Sequence, residues 1–158
     1  MTTPSRKSYK KLSSNKKAQR DYLVLESLET GIELRGTEVK SIRDGNLNLT
    51  GSFAKTEQGQ VILYGLNISP YEYGNQFNHV ADRPRRLLLH RREITRLQVQ
   101  SEQKGNALIP LSVYMKHGLV KVELGICKGK RQSDKRDDLR KKTADRDTAR
   151  AIANHQRR

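Results

Sequence analysis

Four histidines, His79, His90, His117 and His155, are the side chains of this 158-residue chain best suited to proton transfer or metal binding. They are scattered, and no two stand at a spacing that would ligate one ion, so no metal and no cofactor is expected. His79 in a loop and His117 in a turn could serve as base and acid of a ribonuclease. Asp134, Asp137 and Asp138 could face a cation, but Lys135 and Arg136 stand among them. Offsetting that positive charge is their simpler role. Lys128-Gly129-Lys130 is too short to cradle a phosphate in the Walker manner. Cys127 is the single cysteine, which excludes an internal disulfide and any cysteine-based zinc cluster. No catalytic residue is assigned.

The abundant chemistry is positive charge. Lys and Arg number 32 against 17 Asp and Glu, a net of +15. Residues 1–20 carry seven basic side chains and no acid, and residues 128–158 carry twelve basic and five acidic. The stretch between is nearly neutral, with thirteen basic and twelve acidic. Two cationic arms on an ordinary domain seek polyanions, because each Lys or Arg that neutralises a phosphate releases counterions. A membrane surface fits less well, since neither arm has the apolar face of an interfacial helix. No apolar run approaches the length of a spanning helix, and the N-terminus lacks the apolar core of a signal peptide. A cytoplasmic protein is expected.

Strands must position these groups. Gly31 to Gly45 reads as a strand with Ile32 and Leu34 on one face, broken at Gly36. A short helix follows, capped by Thr37, with Val39 and Ile42 inward and Glu38, Lys40, Ser41 and Arg43 pointing elsewhere. It would plug one end of a barrel. Asn15 is the expected cap of a short helix to Tyr22. Tyr22–Leu28 reads as a strand and Glu29-Thr30-Gly31 as a hairpin into Ile32–Arg35. Strands follow at Ser52–Thr56 and at Gln60–Ile68, the latter with Ile62, Tyr64, Leu66 and Ile68 on one face. Ser69–Pro84 is a polar loop, and Arg91–Ser101 a helix with Ile94 and Leu97 inward. Asn106–Met115 is a strand in which Pro110 marks an edge or a bulge. Leu119–Cys127 alternates cleanly, with Val120, Val122, Leu124 and Ile126 inward. About six short strands with hairpin signals predict an antiparallel barrel or sandwich.

The arm of residues 1–13 has no period and reads as disordered. From residue 131 to 158 only Leu139 and Ile152 are large and apolar, so the tail has no stripe to bury and should be unfolded alone. Base stacking needs exposed aromatics. With two Phe, six Tyr and no Trp, much of that set reads as core. The arms and Arg83, Arg85 and Arg86 favour a folded RNA read by shape and backbone.

Blocks of the sequence then align with a known family. Asn15-Lys16-Lys17-Ala18, Gly36-Thr37-Glu38-Val39-Lys40-Ser41, Ile68-Ser69-Pro70-Tyr71, Gly74-Asn75, Asn78-His79, Arg86-Leu87-Leu88-Leu89-His90, Lys104-Gly105, Lys128-Gly129-Lys130 and Asp134-Lys135-Arg136 occur in this order. From about residue 13 the chain resembles the SsrA-binding protein (small protein B, SmpB) family. The resemblance implies an OB-like antiparallel β-barrel of about six strands with two to three short helices over residues 14–130. It also implies a tail, 131–158, that is disordered when free and helical on the ribosome. It implies a non-enzymatic RNA-binding protein of trans-translation, a monomer, one per transfer-messenger RNA. Such a protein binds the tRNA-like domain of that RNA and delivers it to stalled ribosomes, where the tail meets ribosomal RNA. A general RNA-binding or ribosome-associated OB module is the other reading. RNA-facing roles are implied for Glu29, Leu88 and Lys121, and by motif for Asn15, Lys16, Lys40, Asn78, His79 and Arg86. The implied ribosome-binding residues are Asp134, Lys135, Arg136, Arg140, Lys141 and Lys142. Before Asp-Lys-Arg the family often has His or Tyr, which can stack on a base; here Ser133 cannot.

Overall fold

The computed structural model describes residues 9–74 and 78–157. Strand β1 (Tyr9–Ser14) runs into Asn15, whose Oδ1 accepts from Ala18 N at 3.1 Å and caps helix α1 (Lys16–Asp21). Strand β2 (Tyr22–Ile32) and helix α2 (Gly36–Arg43) follow, then β3 (Leu47–Asn48), β4 (Phe53–Glu57), β5 (Gln60–Tyr64) and β6 (Asn67–Ile68). After the loop come β7 (Arg85–Leu88) and helix α3 (Arg91–Gln98), which continues as a π-helical turn, Val99–Gln103. Strands β8 (Ala107–Lys116) and β9 (Leu119–Gly129) form the closing hairpin, and helix α4 (Gln132–Gln156) ends the chain.

Pairing runs β8-β4-β5-β7-β2-β9, and β9 pairs back with β8. The six strands therefore close an antiparallel barrel, its β4–β8 seam made at the single pair Ala54 and Leu108. Both β1 and β4 take the edge of β8 not used by β9, β1 along Ser112–Lys116 and β4 at Leu108. The core holds Val61, Leu63, Leu87, Val113, Val122, Leu124 and Ile126, with Ile42 of α2 and Leu97 of α3 closing on it. α1 covers a smaller cluster through Ala18, against Ile109, Leu111 and Cys127. Burial raises the Cys127 thiol to about 11, so the one cysteine is an inert packing residue.

Several expectations need correction. Residues 1–8 of the expected arm lie outside the described residues, but Tyr9–Ser13 belongs to β1, hydrogen-bonded to β8. Glu29-Thr30-Gly31 is no hairpin. It lies inside one eleven-residue strand, β2, in register with β9. In β5 the inward residues are Val61 and Leu63, not Ile62 and Tyr64. Gly65, at φ +75°, breaks the strand and rephases it so that Leu66 and Ile68 are buried. Pro110 does sit at a bulge, where the register with β9 shifts between Pro110 and Ser112, but β8 is not an edge. α2 buries Glu38, Ser41 and Ile42, while Val39 is only half-buried.

α4 is a 25-residue helix with no buried residue, about 37 Å long at 1.5 Å per residue. Its first turns meet the end of α1 and the residue after β9. Lys130 pairs with Asp138, and Lys135 Nζ lies 3.6 Å from Asp21.

Candidate RNA-binding interface

One row of residues crosses the outside of the barrel. Lys11 of β1 pairs with Tyr114 of β8, Tyr114 with Lys121 of β9, Lys121 with Gly31 of β2, and Gly31 with Leu88 of β7. Residues directly opposite in antiparallel strands share a face, so all five line the outer surface. Leu88 is 48% exposed, a large apolar side chain on the solvent side of a strand. Gly31, between Leu88 and Lys121, leaves the floor open. With Val39, Leu119 and Val120 these residues line a shallow hollow of about 220 Å³. Arg86, two residues before Leu88 on the same face, is paired with Glu33 at 2.9 Å.

Glu29 lies two residues before Gly31. Its carboxylate accepts a hydrogen bond from the Tyr114 hydroxyl and lies 3.2 Å from Lys116 Nζ. The Tyr114 hydrogen bond, against the opposing effect of burial and with help from Lys116 and the Lys121 charge, holds Glu29 below its ordinary value. Tyr114 is pushed up by burial and by Glu29. Beside it, Ser112 donates to Glu123 at 2.8 Å. Lys11, Glu29, Tyr114, Lys116 and Glu123 border a second hollow of about 280 Å³. The surface is thus cationic side chains and an apolar knob held in register by strands, with one carboxylate aligning a Lys and a Tyr. Such an arrangement fits RNA backbone and sugar rather than chemistry on a substrate.

Beneath α2 lies a buried ionic cluster. Glu38 is fully buried and accepts from Arg83 and, at 3.2 Å, from Arg85 Nε. Arg85, also fully buried, donates to the carbonyls of Leu66 (2.7 Å) and Ala81 (3.0 Å). Burial pushes Glu38 up, but the Arg83 hydrogen bond and the two guanidinium charges leave it below its ordinary value. The cluster ties Ala81 and Arg83 of the loop to α2, to the start of β7 and to Leu66.

The remaining sequence-derived candidates divide. Asn15 is buried, its amide donating to the carbonyls of Pro110 (3.1 Å) and Leu49 (3.3 Å), so it is a structural cap rather than a surface contact. His79 is buried too. Nε2 donates to the Ile68 carbonyl at 2.8 Å, which leaves Nδ1 to accept from Thr37 Oγ1 at 2.9 Å. Both nitrogens are engaged, which removes His79 as a general base, and the Thr37 hydroxyl serves His79 rather than the helix cap. Asn78 holds the backbone of Tyr71. Lys40 is exposed over the Tyr71 ring, 5.5 Å from its centroid. Lys16 is exposed on α1, by the Ile109–Leu111 end of β8 and away from Tyr114. Glu29, Arg86, Leu88 and Lys121 are brought onto one face. Arg136, Arg140, Lys141 and Lys142 are exposed on α4, and Asp134 accepts from Arg131 N at 3.3 Å to start that helix. No cluster of three metal-ligating side chains occurs among the described residues.

The model of the family described as SmpB protein matches residues 12–154. The chain belongs to the SmpB family. The SsrA-binding protein of Bacillus subtilis (strain 168) is 51% identical over 148 residues, 94% of this chain and 95% of that one. The SsrA-binding protein of Geobacillus thermodenitrificans (strain NG80-2) is 50% identical over the same length, 94% of this chain and 96% of that one. A solved structure described as "tmRNA-SmpB: a journey to the center of the bacterial ribosome" superposes with a TM-score of 0.65 at 46% identity. It covers 81% of this chain and 94% of its own.

Sequence reasoning about this SmpB family member missed Lys11, Gly31, Tyr114 and Lys116 as parts of the face. In the sequence Lys11 reads as part of the arm and Gly31 as part of a turn. The outward alternation of Ser112, Tyr114 and Lys116 along β8 was the available signal. It also undercounted exposed aromatics, since Tyr9, Phe53 and Tyr73 are 48%, 39% and 78% exposed.

Proposed function

We propose that this chain binds the tRNA-like domain of transfer-messenger RNA and delivers it to stalled ribosomes for rescue and tagging of incomplete proteins. The observation that carries the reading is the family match over residues 12–154. It is joined to a barrel face on which Leu88, Gly31, Lys121 and Glu29 stand in register. Lys121, Lys116, Lys11 and Arg86 meet phosphates, and Leu88 packs against a sugar or base edge. Lys16 and Lys40 add flanking contacts. Asn15, Asn78 and His79 act from beneath, by holding the surface. The protein acts by binding in the cytoplasm, as a monomer with no cofactor and no catalytic step.

The tail is the second half of the reading. With no buried side chain, α4 gains only local stability, from its contacts through Lys130 and Lys135 and from neighbouring opposite charges such as Asp138 and Lys142. It unfolds readily in the free protein and becomes a settled helix when Lys135, Arg136, Arg140, Lys141 and Lys142 meet ribosomal RNA phosphates. Ordering the backbone costs roughly 1–2 kcal/mol per residue, which those contacts offset. No helix among the described residues is long and apolar enough to cross a membrane.

Sequencing the RNA that co-purifies with the tagged protein tests the assignment. One dominant tRNA-like species is expected; a broad mixture would make the chain a general RNA-binding module instead.

A further inference from the structure

Tyr73 is the most exposed large apolar side chain among the described residues, at 78%. An exposed ring is ordinary on a floppy loop, but this loop is built. Asn78 Oδ1 accepts from Tyr71 N at 3.2 Å and its Nδ2 donates to Tyr71 O at 2.8 Å, so one amide satisfies both backbone groups. Gly74 N donates to the same Tyr71 carbonyl at 2.8 Å. A Cβ on Gly74 would stand 2.6 Å from Asn78 Nδ2, so a side chain there would displace the amide that holds Tyr71. His79, next to Asn78, is anchored to Ile68 and Thr37. Tyr71 meets Tyr73 edge-on, 5.7 Å between centroids at 66°, and Lys40 stands over the Tyr71 ring. The backbone on both sides of Tyr73 is thus held, through Tyr71, Gly74 and Asn78, and the ring it carries stands in the open against the edge of Tyr71.

A solvent-facing ring on a held backbone, set against a second ring that itself carries a cation, is a stacking platform. Its place points to the same RNA as the barrel face. Val39 of α2 lines the hollow that holds Leu88 and Lys121, and Lys40, the next residue of the same helix, stands over Tyr71. We propose that Tyr73 stacks on an unpaired base of the bound RNA, with Tyr71 as its rigid backing and Lys40 against an adjoining phosphate. The inference rests on the RNA-binding reading and adds a base contact to a surface otherwise made for backbone.

The chain has no tryptophan, so Tyr73→Trp creates a single fluorescent reporter at the platform. On titration with full-length transfer-messenger RNA its emission should fall and become shielded from iodide. Tyr73→Ala should weaken binding roughly five- to hundredfold, the range for loss of one base stack, with an unchanged melting temperature. Asn78→Ala, which frees the loop but keeps the ring, should weaken it less. Unquenched emission at saturating RNA, or Tyr73→Ala binding within about twofold of the parent, overturns the platform while leaving the barrel face standing. A parent protein that binds no such RNA overturns both.

Discussion

Gly31 of β2 lies directly opposite Leu88 of β7, and a Cβ built on Gly31 would come within 3.1 Å of the Leu88 Cβ. The backbone at Gly31 is extended rather than left-handed, so glycine is needed there for space and not for conformation. What it makes room for is the exposed Leu88 side chain and access to Lys121 on its other side. Gly31→Val should therefore push Leu88 aside. It should lower RNA affinity by about 1 kcal/mol or more, roughly fivefold, and stability by less than that, because the β-branched residue's strand preference offsets part of the crowding. Filter binding and thermal melting on the same sample check this. A loss of stability as large as the loss of affinity would make the pair ordinary packing.

Glu29 joins the two sides of the face, since it holds both Tyr114 and Lys116. A carboxylate among the proposed phosphate contacts is useful only if it aligns its neighbours. Glu29→Gln keeps an acceptor for Tyr114 and should retain most affinity, whereas Glu29→Ala should weaken binding. Lys121→Ala should cost about 1–3 kcal/mol, the range for a charge-assisted hydrogen bond. In a double-mutant cycle, Tyr114→Phe should add little to Glu29→Ala, because the two act through one contact. Tighter binding by Glu29→Ala would reduce Glu29 to an offset of positive charge.

The Glu38 cluster predicts acid sensitivity of the fold. Glu38 is held below its ordinary value of 4.5, so near that value the unfolded chain binds more protons than the folded one. Its contribution is fully present above about pH 4.5 and is lost as pH falls through the lower folded value. Glu38→Gln leaves Arg85 buried without a counter-charge and should destabilise by about 3–5 kcal/mol. Urea titrations at pH 7 and pH 4 should show the parent losing more stability on acidification than the variant. Equal stability of the two at pH 7 would mean that Arg85 is satisfied by the Leu66 and Ala81 carbonyls alone.

That cluster also marks where sequence reasoning runs out. A glutamate at one position of a short helix looks like a surface residue, and its partners Arg83 and Arg85 lie 45 and 47 positions away. Nothing local announces them. Features set by neighbours in the chain were legible: the Asn15 cap, the alternation of β9, the bulge at Pro110, the inward Leu97. Features set by distant contacts were not. Thr30-Gly31 imitates a turn because glycine has two uses, and here the close approach of Leu88 is the one in force. Ile62 and Tyr64 look inward when Gln60–Ile68 is read as one strand, since the break at Gly65 changes the phase. Of the candidate site, Glu29, Leu88 and Lys121 were named through family likeness. Their meeting on one face, with Tyr114 and Gly31, depends on a register that only the folded barrel supplies.

The separation between barrel and tail is the central claim, and truncation after Gly129 tests it most directly. Every core residue named above precedes that point, and α4 contributes none. The barrel face likewise owes the tail no residue. The measurement is transfer-messenger RNA affinity of the truncated and full chains at fixed salt, with tagging on non-stop messages read on the same pair. Affinity within a few-fold of the full chain, with tagging abolished, is the predicted result. Loss of RNA binding in step with tagging would contradict it and would place α4 within the RNA-binding surface.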